Sequence, residues 1–439
     1  MTSGDVAQRT FVGFGFGPIQ AGVFFYEAFR SRSFGRLVVA EVVPEIVTAV
    51  RGAGGLFSLN IAHSDRIEIA EVGPLEIADP GSEADQRGLV GAVAEAEDIA
   101  TAVPSVQFYT SPGPGSIHRL LALGLRRKVA TQGPQAIVYA AENHNHAAEI
   151  LEASVLAEIP EDERPRVSTR VRFLNTVIGK MSGVVSDPDE IRLQGLATIT
   201  PGGHRAFLVE AFNRILISKI QFAGAGEAPP FQRGIKVFEE KDDLLPFEEA
   251  KLYGHNATHA LAAYVGAVRG VERIADLAKY PDILAFLRAA FIQESGEALV
   301  RKHAGKDALF THEGYREYAD DLLTRMVNPF LHDSVERVGR DPKRKLGWDD
   351  RLVGTLRVAI GQGVNPSRHA FGAAAALAVL DRNVLESNVP LASWLEPLWQ
   401  AASPYKLEEE RILELIEEGR RRLKHWLASG FQNLEGLFS

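Results

Sequence analysis

The first half of the chain alternates short apolar runs with amphipathic stretches, which is the pattern of a parallel α/β fold. The apolar runs are rich in Val, Ile, Leu and Ala and have the length of buried strands. Strands are predicted at residues 11–13, 37–42, 68–72, 98–103, 136–141, 171–178, 196–199 and 206–209, and a helix at about 21–30.

Beyond about residue 246 the apolar positions recur with helical spacing, punctuated by Pro and Gly. Helices are predicted at residues 247–267, 272–303, 313–337, 348–361, 367–380 and 406–428. The last helix is acidic at its start and basic at its end, which suits the helix macrodipole. The patterns therefore predict an α/β Rossmann-like domain with a β extension over residues 1–245 and a mostly α-helical domain over residues 246–439.

The composition is that of an ordinary globular protein, and it excludes several classes of partner and active site. The 439 residues are 46% hydrophobic and 24% charged, and the net charge of −9 is spread without a dominant block. A nucleic-acid surface normally carries a concentrated positive patch, so no nucleic-acid partner is expected. The absence of cysteine excludes disulfides, thiolate nucleophiles and Cys-containing zinc sites.

The sequence carries no signal for secretion or membrane insertion. Its first ten residues, MTSGDVAQRT, are polar, unlike those of a signal peptide. No apolar run approaches the ~20 residues that a membrane-spanning helix needs. We therefore expect a cytoplasmic protein with a small-molecule ligand and no membrane partner, which is a monomer or a small homo-oligomer.

A glycine-rich turn follows the first predicted strand, in the stretch VGFGFGPIQAG. Glycines let the backbone turn tightly and approach a pyrophosphate, which sits at the positive N-terminus of the next helix. Gln20 stands where the GxGxxG pattern has its third glycine, and Gly22 comes two residues later, so the motif alone is a weak signal. The predicted cofactor contacts in this turn are Gly13, Gly15, Gly17, Pro18, Ile19 and Gln20.

An acidic residue ends the second predicted strand. Glu41 stands 24 residues after Gly17, where a carboxylate can accept hydrogen bonds from the adenosine ribose hydroxyls and repel a 2′-phosphate. This position favours NAD over NADP as the cofactor. Asp98 and Thr101, in the run DIATAV, are expected near the nicotinamide. The alternative is a purely structural glycine turn with Glu41 as a surface residue.

The segment FEEAKLYGHNATHALAAYVG carries the most informative polar residues. On an α-helix, His259 would lie about 80° and Asn256 about 140° from Lys251, all on one broad face. Three polar groups on an otherwise apolar helix need a reason, because unpaired buried polar groups are costly. A cleft with a polar ligand supplies that reason, and a stripe facing solvent is the alternative.

A second polar element follows the predicted strand at 136–141. Asn143 belongs to the sequence AEN, and the carboxyl ends of parallel strands are where α/β proteins place their ligands. Asn143 is therefore expected to face the same cleft as Lys251, although asparagine is also a common turn residue. His144 and His146 lie nearby without an identifiable carboxylate or cysteine partner, so no metal site is expected.

Together these motifs resemble the polyol-specific long-chain dehydrogenases, the mannitol dehydrogenase family. The resemblance extends to about residue 380 and rests on DIATAV, AEN, FLVEAFNRILISKIQF, KLYGHNATHA and RVGRDPKRKLGWDDRL. It implies an NAD-dependent oxidoreductase that acts on polyols without a metal. Residues 1–245 would then bind NAD, and residues 246–439 would supply substrate and catalytic contacts.

The same resemblance implies roles for individual residues. Lys251 would be the general base, while Asn143 and Asn256 would donate hydrogen bonds to the reacting oxygen. His259 would orient that oxygen or assist the lysine. Either of the two acidic residues before Lys251, at positions 248 and 249, is expected to relay its proton outward, and a solvated start of the helix is the alternative.

A cluster of basic residues, the basic block, indicates a phosphorylated substrate. The sequence RVGRDPKRKL concentrates Arg337, Arg340, Lys343, Arg344 and Lys345 within a single short stretch. Arginine forks suit phosphate geometry, and the block resembles that of the sugar-phosphate branch, which favours mannitol 1-phosphate and fructose 6-phosphate. Arg337, Arg340 and Lys345 are accordingly predicted to bind the phosphate. A solvated basic loop or a salt-bridge network is the alternative.

One predicted strand departs from the family pattern. Relatives often have Val-Asp-Ser-x-Val-Asp-Arg-Ile where residues 174–181 read LNTVIGKM, with Lys180 in place of the arginine. Lys180 is predicted to contact the substrate, but the change leaves the substrate's identity open. The alternatives are an unphosphorylated polyol, a sugar acid of the altronate or mannonate type, or a cyclitol. A catalytically silent NAD-binding regulator is the alternative from another functional class.

Overall fold

The computed structural model describes residues 9–222, 231–386 and 389–438, in two compact units that divide between Leu244 and Leu245. The strands of the described chain lie in the first unit, and the second unit is helical. This confirms the predicted fold class. The polar residues 1–8, which bear on the signal-peptide prediction, lie outside the described residues.

The first unit contains two sheets. In chain order its strands are β1 (Arg9–Phe14), β2 (Phe34–Ala40), β3 (Phe57–Ala62), β4 (Ile67–Val72), β5 (Glu76–Ala78), β6 (Asp98–Thr101), β7 (Ala136–Ala140), β8 (Val171–Ile178), β9 (Ser182–Val185), β10 (Ala206–Glu210), β11 (Ile215–Ser218) and β12 (Phe238–Lys241). The larger sheet has the order β12-β11-β8-β7-β6-β1-β2-β5, in which the strands from β8 to β5 are parallel. β11 pairs antiparallel with β8, and the smaller sheet has the order β4-β3-β10-β9.

The larger sheet separates two apolar cores. Phe11 of β1 faces one core, whereas Val12 and Phe14 face the other. This alternation follows from the strand geometry, in which successive side chains point to opposite faces. A central strand is therefore apolar on both faces, and this is why the sequence predicts such strands as continuous apolar runs.

The prediction of a strand at residues 196–199 is wrong. Its backbone is held at Ala197 by the side chain of Asn60, whose Nδ2 donates to the Ala197 carbonyl (2.8 Å) and whose Oδ1 accepts from the Ala197 N–H (2.8 Å). A side-chain amide thus takes the place of a strand partner, and a local pattern of apolar residues does not reveal such a bond. The neighbouring prediction at 206–209 corresponds to β10.

Helices cover the sheets of the first unit and build the second. The helices of the first unit are α1 (Tyr26–Ser31), α2 (Pro44–Gly52), α3 (Glu83–Glu95), α4 (Ile117–Ala130), α5 (Ala147–Ala157), α6 (Arg164–Arg170) and α7 (Pro188–Leu193). Those of the second are α8 (Leu245–Glu249), α9 (Ala257–Arg269), α10 (Pro281–Ala289), α11 (Glu297–Lys302), α12 (His312–Met326), α13 (Val335–Gly339), α14 (Pro342–Lys345), α15 (Val353–Gly361), α16 (Ser367–Leu380), α17 (Asn383–Glu386), α18 (Ala392–Trp399) and α19 (Lys406–Ala428). Among the described residues, none of these helices is long and apolar enough to cross a membrane.

Within the described ranges, three helical runs contain π-helical segments, at Gln20–Phe25, Ala250–Asn256 and Ala290–Gly296. The predicted helix at 406–428 is confirmed as α19, whereas the long helix predicted at 272–303 is wrong. That stretch is divided into a 3-10 helix at Ile274–Lys279, α10, a π segment and α11. Each of these pieces buries apolar residues, so the positions of the apolar residues alone do not mark the breaks.

The helical unit packs around the alanine-rich α16, which is buried over most of its length. A Cβ atom on Gly419 of α19 would lie 2.5 Å from the Ala370 carbonyl oxygen, so the two helices approach at van der Waals distance. The buried Glu294 carboxylate accepts the backbone N–H groups of Arg368 (2.8 Å) and His369 (3.0 Å) and thereby caps the start of α16.

Gly419→Ala should therefore destabilise the helical unit. The added methyl group overlaps backbone atoms that cannot rotate away, and such overpacking costs about 1–3 kcal/mol. Gly361→Ala is the matched control, because a Cβ at that helical glycine meets nothing within 4 Å. Urea unfolding followed by Trp fluorescence measures both variants, and equal stabilities would contradict the close approach of α16 and α19.

Candidate active site

The predicted cofactor residues meet at one edge of the larger sheet. Phe14, the last residue of β1, is in register with Ala40 of β2 and with Thr101 of β6, and Thr101 is in register with Ala140 of β7. The carboxyl ends of four parallel strands therefore lie side by side. The glycine turn, Glu41, Thr101 and Asn143 follow or end these strands, so this unit brings them to the edge where α/β proteins bind ligands.

The glycine turn is tight, and its glycines act in different ways. Gly15 has a φ of +82°, and a Cβ there would lie 2.9 Å from the Ala102 carbonyl oxygen. A Cβ on Gly13 would lie 2.0 Å from Nε2 of Gln20, whose fully buried amide has no hydrogen-bond partner among the described residues. Gln20 can therefore meet a cofactor through its backbone alone.

The departure from the GxGxxG pattern is resolved by Gly22. A Cβ at this position would lie 2.7 Å from a methyl carbon of Val209, so Gly22 supplies the close packing that the third glycine normally provides. Gly17, Pro18 and Ile19 are half-exposed at the start of the helical run, and a Cβ on Gly17 would meet nothing within 4 Å. The turn therefore presents open backbone.

Glu41 is buried and shapes the turn. Its carboxylate accepts the backbone N–H groups of Phe16 (2.8 Å) and Val43 (2.8 Å). A carboxylate offers about four lone-pair sites, so these bonds leave capacity for ribose hydroxyls. Glu41 is thus a turn-forming residue, and the alternative of a surface residue at a strand end is wrong.

Asp98 and Thr101 lie at opposite ends of β6. Thr101 ends the strand at the carboxyl edge, where its Oγ1 donates to Glu142 (3.0 Å). Asp98 begins the strand at the other edge and accepts the Tyr139 hydroxyl (2.9 Å), and burial raises the pKa of its carboxyl to about 6. The expectation that Asp98 lies near the nicotinamide is therefore wrong, because Asp98 and Thr101 stand at opposite ends of β6.

Lys251 and Asn256 lie on a π-helical turn in the second unit. The segment Ala250–Asn256 separates α8 from α9, so the angles calculated for an α-helix are wrong. A π turn bonds residues five apart, which brings Lys251 and Asn256 to nearly the same side of the helix. Such turns are frequent at functional sites, and nothing in the local sequence distinguishes this one from an α turn.

Packing holds the π turn in place. A Cβ on Gly254 would lie 2.4 Å from the Tyr315 hydroxyl and 2.8 Å from a ring carbon of Phe291, which belongs to the π segment Ala290–Gly296. Two π segments therefore pack against each other at a residue without a side chain. Glu249, immediately before the turn, is tied to Lys302 (2.8 Å) and to His303 Nε2 (2.7 Å).

The pKa of the Lys251 amine is lower than that of an ordinary lysine. Burial, together with the positive charge of Arg351, lowers the pKa of Lys251 from 10.5 to about 8, against the opposing charge of Glu248. Burial lowers the pKa values of His255 and His259, and the charge of Arg351 acts in the same direction. Arg351 is the last basic residue of the motif RVGRDPKRKLGWDDRL, and the sequence pattern did not single it out.

His259 is a neutral imidazole in this environment. Burial lowers its pKa to about 4, and the charges of Arg337, Arg351 and Lys345 act in the same direction. Its Nε2 atom is buried and has no hydrogen-bond partner among the described residues, although Asp333 Oδ2 lies 3.9 Å away. His259 therefore has an imidazole nitrogen available for a further bond.

Asp333 is a polar residue of this site that sequence reasoning missed. Its buried carboxylate forms an ion pair with Arg337 and faces His259 on its other side. The loop that carries it is anchored by the Ile274 N–H, which donates to the Asp333 carbonyl (2.9 Å). The one available signal was its i,i+4 spacing from Arg337, which is common in helices without any functional meaning.

Much of the basic block is engaged in local contacts. Arg344 pairs with Asp341 (3.1 Å) and Asp350 (3.1 Å), and the buried Lys345 amine donates to the Arg340 carbonyl. Burial and the charges of neighbouring arginines lower the pKa of Lys345 to about 8. Arg340 is exposed, so the salt-bridge network and the phosphate site both remain compatible with this block.

Two further predicted site residues, Lys180 and Asn143, lie in the first unit. Lys180 is buried between β8 and β9, and Asn143 is exposed directly after the buried Glu142. His144 and His146 have ring centroids 6.2 Å apart. The part of the chain that the structure describes contains no group of three or more His, Asp and Glu side chains arranged as metal ligands. Convergence of Asn143 with Lys251 stays a prediction.

Residues 243–418 match a family model described as the mannitol dehydrogenase C-terminal domain. The helical unit is a mannitol dehydrogenase C-terminal domain. The family resemblance seen in the sequence is thereby confirmed. The chain is also 29% identical over 367 residues to a mannitol-1-phosphate 5-dehydrogenase of Bacillus licheniformis, in an alignment that covers 83% of this chain and 86% of that protein.

Two solved structures share the fold of nearly the whole chain. A D-sorbitol dehydrogenase in substrate-free form has a TM-score of 0.74 at 16% identity and covers 97% of this chain and 95% of its own. The ternary complex of Pseudomonas fluorescens mannitol 2-dehydrogenase with NAD and D-mannitol has a TM-score of 0.68 at 17% identity, covering 99% and 95%. At these identities the likeness establishes the fold.

The neutral His259 predicts a pH-dependent stability of the mannitol dehydrogenase C-terminal domain. The unfolded chain protonates this histidine near pH 6.5 and the folded chain near pH 4, so the unfolded state binds more protons between these values. Stability is therefore lost as the pH falls below about 6.5. His259→Gln removes this contribution and should lose less stability than wild type between pH 7 and pH 5, by at most about 2 kcal/mol.

Urea unfolding at the two pH values, followed by Trp fluorescence, measures this difference, since all four tryptophans lie in the helical unit. His312→Gln is the control, because the His312 side chain is exposed. An identical pH dependence in wild type and His259→Gln would contradict the neutral imidazole.

Proposed function

We propose that this chain is an NAD-dependent oxidoreductase that interconverts a polyol phosphate and a ketose phosphate, with D-mannitol 1-phosphate and D-fructose 6-phosphate as the first candidates. The Bacillus relative carries the name mannitol-1-phosphate 5-dehydrogenase, and the Pseudomonas structure contains NAD and D-mannitol. The observation that carries the proposal is the lowered pKa of Lys251 on a π turn that also bears Asn256. A lysine that is neutral near pH 8 can act as a general base.

The first unit fits a dinucleotide in its chemistry. The turn at Gly15 and Gly17 offers open backbone at the start of a helical run, where a pyrophosphate is favourable. Glu41 supplies a carboxylate at the end of β2 for the adenosine ribose, and its charge disfavours a 2′-phosphate. NAD is therefore the proposed cofactor, and when bound it supplies the hydride-accepting chemistry.

The proposed reaction begins with proton transfer from the substrate hydroxyl to the neutral amine of Lys251. Asn256, on the same side of the π turn, donates a hydrogen bond to the substrate oxygen as it gains negative charge. Asn143 is proposed to donate a second hydrogen bond from the carboxyl edge of the sheet. The neutral His259 orients the substrate through its available ring nitrogen.

Of the two acidic residues before Lys251, Glu248 is the better candidate to pass the proton outward. Glu249 is held by Lys302 and His303 through both of its carboxylate oxygens. Glu248 is half-exposed, and its charge acts on the Lys251 amine. We therefore assign Glu249 to anchoring the π turn and Glu248 to the proton relay.

The second candidate function is the same reaction on an unphosphorylated polyol, sugar acid or cyclitol. It is favoured by the pairing of Arg337 with Asp333 and of Arg344 with Asp341 and Asp350, which neutralises part of the basic block. NADH oxidation with phosphorylated and free ketoses separates the two candidates. If a free ketose is the better substrate, Arg340→Ala should leave its KM unchanged.

Lys251→Ala tests the proposed base. Wild-type protein should reduce NAD with mannitol 1-phosphate, and the variant should lose activity by a factor of at least about 10²–10⁴, the usual contribution of general-base catalysis. NADH binding, measured by fluorescence, should be unchanged. Lys279→Ala, at an exposed lysine of the same unit, is the control. Near-normal turnover in Lys251→Ala would eliminate the proposed mechanism.

Arg351→Gln should alter the pH profile of polyol oxidation. In wild type, kcat/KM should rise with pH and reach half its maximum near pH 8, where Lys251 loses its proton. Removal of the Arg351 charge favours the protonated amine, so the midpoint should move to higher pH. Arg351→Lys retains the charge and should keep the wild-type midpoint. An unchanged midpoint in Arg351→Gln would show that this charge does not act on the base.

A further inference from the structure

Glu142 is a buried carboxylate with three hydrogen-bond donors at the carboxyl edge of the larger sheet. It is 6% exposed and stands between β7 and the exposed Asn143. One carboxylate oxygen accepts the Val103 N–H (2.9 Å), and the other accepts both Thr101 Oγ1 (3.0 Å) and the Tyr109 hydroxyl. These three donors satisfy the carboxylate although it lies away from water.

The three donors belong to two separate segments of the same polypeptide. Thr101 ends β6 and Val103 follows it, whereas Tyr109 belongs to the 3-10 helix Val106–Thr110. Tyr109 is itself fully buried, and its carbonyl oxygen lies 2.8 Å from His118 Nδ1. Glu142 therefore joins the end of β7 to two elements that are already fixed.

This connection matters because the chain leaves the sheet at this point. The Ala141 N–H still donates to the Thr101 carbonyl (3.0 Å), but β7 has ended at Ala140. The next helix, α5, begins at Ala147. Asn143 lies on the short connection between them, so its position depends on whatever holds the residues beside it. The buried carboxylate next to it supplies that hold.

We propose that Glu142 is the positioning residue of the active site, fixing the backbone from which Asn143 presents its carboxamide to the substrate oxygen. The inference rests on the proposed function, in which Asn143 donates that hydrogen bond. A donor must lie within about 2.7–3.1 Å of the developing oxyanion to stabilise it. A connection held by three hydrogen bonds meets this demand better than one held by backbone contacts alone.

A double-mutant cycle of Glu142→Gln and Asn143→Ala tests the proposal. Glutamine keeps the size of the side chain, but its amide group places N–H donors against the donors that now surround the carboxylate. Glu142→Gln alone should lower kcat by about 10- to 100-fold, because a displacement of about 1 Å at a catalytic group has effects of that size. The Kd for NADH, measured by fluorescence, should change by less than about twofold if the cofactor turn is intact.

In the Asn143→Ala background, Glu142→Gln should lower kcat by less than about twofold more, because the residue that Glu142 positions is gone. Glu27→Gln is the control for altering a buried carboxylate of the same unit. Glu27 is 5% exposed and accepts from Asn213 Nδ2 (2.6 Å), far along the chain from Asn143. This variant should keep wild-type kcat.

The outcomes distinguish the inference from the proposed function. Fully additive losses in the double variant would overturn the positioning role while leaving the role of Asn143 intact. Normal activity in Asn143→Ala would overturn the role that the proposed function gives to Asn143, and the inference with it. If Glu142→Gln does not fold, the same cycle with Tyr109→Phe removes one donor and leaves Glu142 in place. A smaller, non-additive loss of kcat then supports the inference, and an additive loss overturns it.

Discussion

Taking a lysine amine out of water costs its charged form much more than its neutral form, and the helical unit uses that difference. Lys251 is partly buried, and the guanidinium of Arg351 adds a repulsion that favours loss of its proton. The same surroundings keep His259 neutral. A partly buried amine near an uncharged imidazole is thus a consequence of where the helices pack, and the proposed chemistry follows from that environment.

The first unit depends on a different constraint, the direction of its strands. Because β1, β2, β6 and β7 run parallel and in register, their carboxyl ends lie at a single edge. Residues far apart in sequence, such as Glu41 and Thr101, are brought to that edge by topology. Asp98 is three residues from Thr101 and yet lies at the other edge, so sequence proximity is a poor guide to position along a strand.

Buried carboxylates hold the functional segments of both units. Glu142 fixes the connection that carries Asn143, Glu249 fixes the start of the π turn, and Asp333 lies between Arg337 and His259. Each carboxylate has a hydrogen-bonded or charged partner on another element, which limits the cost of burying its charge. Such residues are hard to find from sequence because a buried and an exposed glutamate look alike until their partners are known.

The residues proposed for catalysis were taken from a resemblance to a known family, whereas the sequence by itself determined the fold class, the glycine turn and the last helix. These features are local, since a left-handed glycine, an apolar strand and an amphipathic helix each depend on neighbouring residues. The tertiary structure decided the π turn, which packs Gly254 against Phe291 and Tyr315, and the charge environment of Lys251. Those contacts join residues that are many positions apart, and no periodicity along the chain records them.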